Sequence, residues 1–320
     1  MKSVRVILLA GMVITSGTLS AQTKSEMTFT SSADLAKAKA EFYPPSDNDK
    51  LAIKNIISTS SAAYLKGDID VILSYYSDQS IELYPNQMVN ASTGNIRNRL
   101  KGQFNNGVFT RMDRTVESIE GAGPIAIAWG KTSSSFKSNS DGKIYENDRN
   151  DIFVLRKQDD GQWKILVNHW FSEEVTGGQA LDDSIRIRQL IDKWSFFIKP
   201  GEVLSEKHLE NYVANYSPQA VEILPNQWSN FGLANIRLRN AGAIGVTWAQ
   251  CTGYTFDVNS FTTIGPEGFS KRAVAWGIGD HSNYAKGSNK LSQYLFPWAM
   301  ILTKENDGQW RILVYHFYLG

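Results

Sequence analysis

Cysteine is nearly absent. Cys251 is the only one, so no disulfide can close within the chain, and it reads as a small buried apolar residue. The four histidines fall in no His-x-x-x-His or clustered Cys/His pattern, so neither a metal ion nor a cofactor is expected. A glycine-rich phosphate loop and a Gly-x-Ser-x-Gly elbow are missing too. No sign of charge dominates: 33 basic residues face 32 acidic ones, a net charge of +1. Nucleic acid, which needs a basic excess on one face, is thereby excluded as the main partner. No apolar run reaches the roughly 20 residues that span a bilayer, so no stable membrane anchor is expected.

What the chain does have is length and aromatic bulk. Its 320 residues suit two domains, 42% of them are hydrophobic, and nine are tryptophan. Nine tryptophans point to large cores, aromatic-lined cavities, or both.

The first residues form a separate segment. Lys2 and Arg5 precede an apolar run from Val6 to Thr15, followed by small residues at Ser20 and Ala21. This is the layout of a secretory signal peptide over residues 1–21, so the chain is expected to be exported, to a periplasm or outside the cell. Residues 22–47 read as a loose lead-in with a short helix over 33–42.

The rest is written twice. "YSDQSIELYPNQ" from Tyr76 returns as "YSPQAVEILPNQ" from Tyr216, and "NIRNR" from Asn95 as "NIRLR" from Asn235, both 140 residues on. "AIAWG" from Ala126 and "GQWKILVNHWF" from Gly161 return as "AVAWG" from Ala273 and "GQWRILVYHFY" from Gly308, both 147 residues on. Four anchors in one order, with a seven-residue net insertion, mark an internal repeat. The domains are placed at 48–173 and 182–320, with a Gly-containing acidic linker at 174–181.

Within each copy, helices come first and strands later. Leu51, Ile53, Ile56, Ile57 and Tyr64 recur at helical spacing, as do Ile185, Ile187, Leu190, Ile191 and Trp194. A second helix is expected over 69–76, and "IELY" reads as a short strand. "STGNIRNRL" reads as a helix start. Four strand-like runs follow, the last two joined by tight turns at "DDG" and "NDG". The layout predicts an α+β fold. In the last strand Trp163, Ile165, Val167, His169 and Phe171 share one face by strict alternation. Both faces carry apolar bulk, which predicts that the two sheets pack together as an internal pseudo-dimer.

Together "YYSDQSIELYPNQ", "NIRNRL", "AIAWGK" and "VLRKQDDGQWKILVNHW" resemble the SnoaL-like branch of the nuclear transport factor 2-like superfamily. The resemblance covers nearly all of the first copy and, more loosely, the second, which departs from it between Arg239 and Ala273. It implies two tandem cones, each a curved antiparallel sheet wrapped around helices and enclosing a pocket. The family includes isomerases, dehydratases, polyketide cyclases and epoxide hydrolases beside non-catalytic binding and assembly domains, so fold leaves function open.

On that picture His169 and His316 are placed on the pocket face, as groups able to move a proton or as structural histidines in an aromatic core. Glu82 and Glu222 lie between apolar neighbours, as carboxylates of a closed pocket or as residues on the wet face of a short strand. Trp129, Trp276, Tyr84, Trp163, Trp310, Val167 and Val314 are placed around the pockets. The Arg97/Arg99 and Arg237/Arg239 pairs read as helix surface, one member of each able to reach an anion. His208 is isolated, and His281 reads as part of a surface loop. The family's acid/base aspartate pairs do not map onto this sequence. Three functions are therefore open. The first is binding of a small hydrophobic or aromatic molecule. The second is cofactor-free catalysis as an isomerase, cyclase or hydrolase by a pocket histidine with a carboxylate. The third is a protein-interaction scaffold with filled pockets.

Overall fold

Helix α1 (Asp47–Lys66) starts where Ser46 and Asp49 cap one another: the Ser46 hydroxyl accepts from the Asp49 amide, and the Asp49 carboxylate accepts from the Ser46 amide. It stops at Gly67, whose φ of 66° an L side chain resists. In the computed structural model the described residues are 44–84, 89–172, 180–194, 196–197, 205–224, 229–246, 251–264, 271–284 and 291–317. The expected signal peptide, most of the lead-in and most of the linker lie outside them, as does the side chain of Cys251. Along α1, Ile53, Ile57 and Tyr64 are buried as their spacing predicts. Leu51 is not, being 58% exposed.

After α2 (Ile69–Ser74) come β1 (Tyr76–Leu83), β2 (Val89–Ala91) and α3 (Ser92–Asn106). Long strands follow: β3 (Gly107–Ala122), β4 (Ile125–Ser138), β5 (Ile144–Lys157) and β6 (Trp163–Phe171). They form one sheet in the order β2-β1-β6-β5-β4-β3, antiparallel except where β1 runs parallel to β6. The β5–β6 turn closes on Gly161 at φ 82°, as "DDG" predicts.

The second unit repeats this order. It contains α4 (Ala180–Trp194), β7 (Phe196–Phe197), α5 (Glu206–Val213), β8 (Tyr216–Ile223), β9 (Ser229–Phe231) and α6 (Leu233–Val246). Its long strands are β10 (Cys251–Ile264), β11 (Arg272–Tyr284), β12 (Leu291–Lys304) and β13 (Trp310–Phe317). Its sheet runs β7-β10-β11-β12-β13-β8-β9, the first unit's order with β7 added at one edge. The divergent stretch after Arg239 still completes α6, which starts at Leu233, and builds the 14-residue strand β10. His281 is not in a loop but inside β11, opposite Tyr294.

Apolar side chains collect in three cores. One lies in each cone, between its helices and the concave face of its sheet. The third lies between the two sheets. There Ile81, Leu83, Ile125, Ile127, Ile152 and Val154 meet Val221, Ile223, Val274, Ala299, Ile301 and Val314. Strand β4 shows how one sequence serves two cores: Ala126 and Ala128 face the cone, while Ile125, Ile127 and Trp129 face the other unit.

Candidate functional site: the interior of the first cone

One extra residue decides which side chains enter the cone. Along β5 and β6, Leu155 pairs with Ile165 but Val154 pairs with Val167, so Leu166 is a bulge. Before it, Trp163 and Ile165 face the cone; after it, Val167 and Phe171 face the second unit. Strand β13 does the same at Leu313, between Ile312 and Val314. Strict alternation along the strand is therefore wrong, because a bulge moves every later residue to the opposite face.

The correction removes several residues from the pocket. His169, His316, Val167 and Val314 lie at the interface between units, as do Trp129 and Trp276, whose ring centroids are 6.3 Å apart. His169 Nδ1 donates to the Leu83 carbonyl at 3.2 Å, and its Nε2 accepts from Arg272 Nε at 3.0 Å. Burial, and then the charge of Arg272, push His169 down to about 3. His316 Nδ1 donates to the Ile223 carbonyl at 3.1 Å, and burial pushes it down to about 4. Both rings are neutral structural groups at physiological pH. In the parallel register Leu83 pairs with His169 and Glu82 with Asn168, so His169 and Glu82 point to opposite faces of the sheet. They share no cavity, and the histidine–carboxylate pair has no catalytic geometry.

Trp163 and Trp310 do face the cones, but as structural latches. Trp163 Nε1 donates to Asp49 Oδ1 at 2.8 Å beside Lys157 Nζ, also at 2.8 Å. Trp310 Nε1 and Lys304 Nζ meet Asp183 in the same way, at 3.0 and 2.8 Å. Burial raises the Asp49 carboxyl, but its bonds to Lys157, Trp163 and Ser46 outweigh this and hold it well below the usual range. His208 closes the capping box of α5 with Ser205.

What the first cone brings together is a buried polar layer around Glu82. Its Oε1 accepts from Arg99 Nη2 at 2.8 Å and from the Tyr76 hydroxyl at 3.4 Å, and its Oε2 from the Tyr84 hydroxyl at 2.8 Å. Asn90 donates to the Tyr84 oxygen at 2.8 Å and Asn168 to that of Tyr76 at 3.0 Å. Arg99 also reaches Tyr64 at 3.4 Å, and the Arg114 guanidinium lies 5.0 Å from the Tyr64 ring centroid. Arg114 then approaches Asp151 at 3.8 Å, which is bound by Arg149 at 3.1 Å and by the Thr132 hydroxyl. Burial and the Glu82 charge push the Tyr84 phenol well above its ordinary value, and burial does the same to Tyr76. These phenols act as hydrogen-bond donors. Burial opposes the charge on Arg99, but Tyr64, Glu82 and Tyr84 outweigh it and raise its pKa.

Three atoms of this layer have no hydrogen-bond partner among the described residues: Arg99 Nε, Arg114 Nε and Asn168 Oδ1. Sequence reasoning missed Tyr76, Arg114, Arg149, Asp151 and Asn168. Asp151 alone carried a signal, a charge opening the apolar run "IFVL".

The second cone keeps only part of the layer. Glu222 accepts from Tyr212, Tyr216 and Asn230 at 3.1 to 3.2 Å, with Arg239 at 3.5 Å. The positions matching Thr132, Arg149, Asp151 and Asn168, 147 residues on, hold Gly279, Phe296, Trp298 and Tyr315. A Cβ on Gly279 would overlap the ring of Phe296. Tyr84 has Leu224 as its counterpart, packed against the second core.

A groove of about 420 Å³ shares Thr132 and Arg149 with the polar layer of the first cone and is lined also by Lys131, Ser133, Asp148, Asn150 and Ser172, beside the middle of β4 and β5. No group of three or more His, Cys, Asp or Glu among the described residues is placed to hold a metal ion. No helix among them is long and apolar enough to cross a membrane.

No family model matches the chain, and no curated protein does. Solved structures similar to it include nuclear transport factor 2-like and ketosteroid isomerase-like proteins. A ketosteroid isomerase-like protein from Erwinia carotovora atroseptica is 14% identical, covering 39% of this chain and 96% of its own, at a TM-score of 0.37. A nuclear transport factor 2-like superfamily protein from Salmonella enterica serovar Typhimurium is 16% identical, covering 40% and 93%, at 0.36. A protein of unknown function from Shewanella oneidensis, described as nuclear transport factor 2-like, is 17% identical, covering 38% and 97%, at 0.31. Each match has about the extent of one unit. At these values the likeness carries no claim about activity.

Proposed function

We propose that this is an exported protein that holds a small aromatic molecule inside its first cone, oriented by the polar layer around Glu82. The observation that carries this reading is Asn168, 3% exposed, whose Oδ1 has no donor among the described residues. A buried polar atom left open costs stability, and a protein tolerates it where a ligand completes the bond. The aromatic character of the ligand is supported by the rings of Tyr64, Phe104 and Phe136, each of which packs edge to face on Phe109 in the same cone. Export rests on the leader-like residues 1–21. The motif pattern favours the SnoaL-like branch and an origin of the two units by duplication.

The test is to purify the full chain without harsh washing and compare native with denaturing mass spectrometry. A bound small molecule, lost on Asn168→Leu substitution, is the expected result. An empty protein that also shows no thermal shift with any member of a broad aromatic library would end the binding reading.

A further inference from the structure

We propose that the ligand of the first cone is a small organic acid carrying its own hydrogen-bond donor, held through Arg99, Arg114 and Asn168, and that the second cone takes no ligand. This rests on the binding reading above and specifies its chemistry. Among the described residues, three guanidiniums (Arg99, Arg114, Arg149) share the first cone with two carboxylates, Glu82 and Asp151. One positive charge is in surplus among side chains largely shielded from water: that of Arg114 is 4% exposed, that of Arg149 13% and that of Arg99 25%. Surplus buried charge is costly unless a counter-charge joins it. The ligand is that counter-charge.

The open atoms define the rest by complement. Arg99 Nε and Arg114 Nε each lack a hydrogen-bond partner among the described residues, Arg114 Nε standing 3.8 Å from Asp151 Oδ2, and both side chains flank Tyr64. An acid group accepts such bonds, and guanidinium is the side chain best shaped for it. Asn168 Oδ1 asks for the opposite, a hydroxyl or N–H on the ligand. A neutral hydrocarbon would satisfy none of the three.

In the second cone the same positions exclude such a ligand. Phe296 and Trp298 are fully buried where the first cone has Arg149 and Asp151, and the Phe296 ring occupies the space over Gly279. Tyr315 packs edge-on to Trp194 at 4.5 Å and against Phe317 at 5.3 Å, in place of Asn168. Side chains do there what a ligand does in the first cone. Among the described residues of the second cone, Glu222 faces Arg239 at 3.5 Å, one charge against one.

The experiment is calorimetric titration of the full chain with 4-hydroxybenzoate, its neutral analogue 4-hydroxybenzamide, and benzoate, which lacks the hydroxyl. The expected result is one site per chain for 4-hydroxybenzoate, with each of the other two at least tenfold weaker. Arg114→Met weakens the acid at least tenfold, and Arg239→Met in the second cone leaves it unchanged. Should Arg114→Met fail to fold, Asn168→Asp serves: its carboxylate disfavours the acid and narrows or reverses the preference over the amide. Equal binding of acid and amide, two sites per chain, or loss of binding in Arg239→Met overturns the inference and leaves the binding reading intact. So does a neutral molecule co-purifying with a chain that binds none of the probes, whereas a co-purifying acid supports the inference. If no probe binds and nothing co-purifies, both fall.

Discussion

Arg272 of the second unit donates from Nε to Nε2 of His169 in the first, 3.0 Å away, and so fixes which ring nitrogen of that histidine carries the proton. The proton on Nδ1 goes to the Leu83 carbonyl, so the second unit holds the β1–β6 pair from behind. Glu82 and Asn168 face the cone from the neighbouring positions of that pair. Arg272→Met leaves Nε2 buried without a donor and is expected to cost about 1–3 kcal/mol. In a double-mutant cycle with His169→Leu, read by urea unfolding, the two changes should couple by at least ~0.5 kcal/mol. Simple additivity would show that the contact contributes nothing.

The buried histidines make stability depend on pH. Their folded-state values, about 3 for His169 and about 4 for His316, lie below the ordinary 6.5, so the unfolded chain binds more protons in between. Stability is complete above about pH 6.5 and falls as the solution is acidified below it. From pH 7 to pH 5 the expected loss is on the order of 2 kcal/mol per histidine. Asp49, whose value is depressed, loses its contribution only below its unfolded value of 3.8, outside this window. Urea midpoints at intervals across pH 5–7 check this, and in the His316→Leu variant the slope should be roughly halved. A flat profile in the parent protein contradicts the neutral, buried assignment.

The two latches predict a matched pair of effects. Asp49→Ala removes the acceptor for both Trp163 Nε1 and Lys157, and Asp183→Ala does so for Trp310 and Lys304. Each is expected to cost about 1–3 kcal/mol, chiefly for stranding the indole N–H, since Lys157 is 38% exposed and can turn to water. The Asp183 variant should suffer more, since that carboxylate is 3% exposed against 19% for Asp49. Parallel denaturant melts of the two variants decide the order.

Breaking the first cone's charge pair should be worse than breaking the second's. Arg99→Met leaves Glu82 charged and buried, which typically costs about 3–5 kcal/mol. Arg239 stands 3.5 Å from Glu222, which keeps three other donors, so Arg239→Met should cost less. The Glu82→Gln, Arg99→Met double variant should regain part of the loss. Chemical denaturation of all three measures this, and equal losses at the two arginines contradict the difference drawn between the cones.

The interface core, shared by side chains of both units, is expected to make them unfold as one cooperative body. Ile301 is fully buried at that seam, and Ile301→Ala is expected to cost about 2–5 kcal/mol, as for a buried methyl cluster. A single thermal transition that shifts as a whole is the expected calorimetric result. Two transitions, only one of them moved, would show the units to be independent.

Sequence alone determined what depends on neighbours along the chain. The helical spacing of Ile53, Ile57 and Tyr64, the turn glycines at 161 and 308, and the repeat from Tyr76 to Tyr216 are local patterns, and the α+β order of elements followed from them. Tertiary structure decided which face each side chain serves. A single added residue at Leu166, and again at Leu313, reverses the alternation of everything after it, and no composition or period announces a bulge. That is why alternation alone puts His169 in the pocket and Asn168 outside it. The polar layer of the first cone was hidden for a related reason. Glu82, Arg99, Arg114, Asp151 and Asn168 come from separate strands and a helix, and only closure of the sheet around the helices brings their charges within reach of one another.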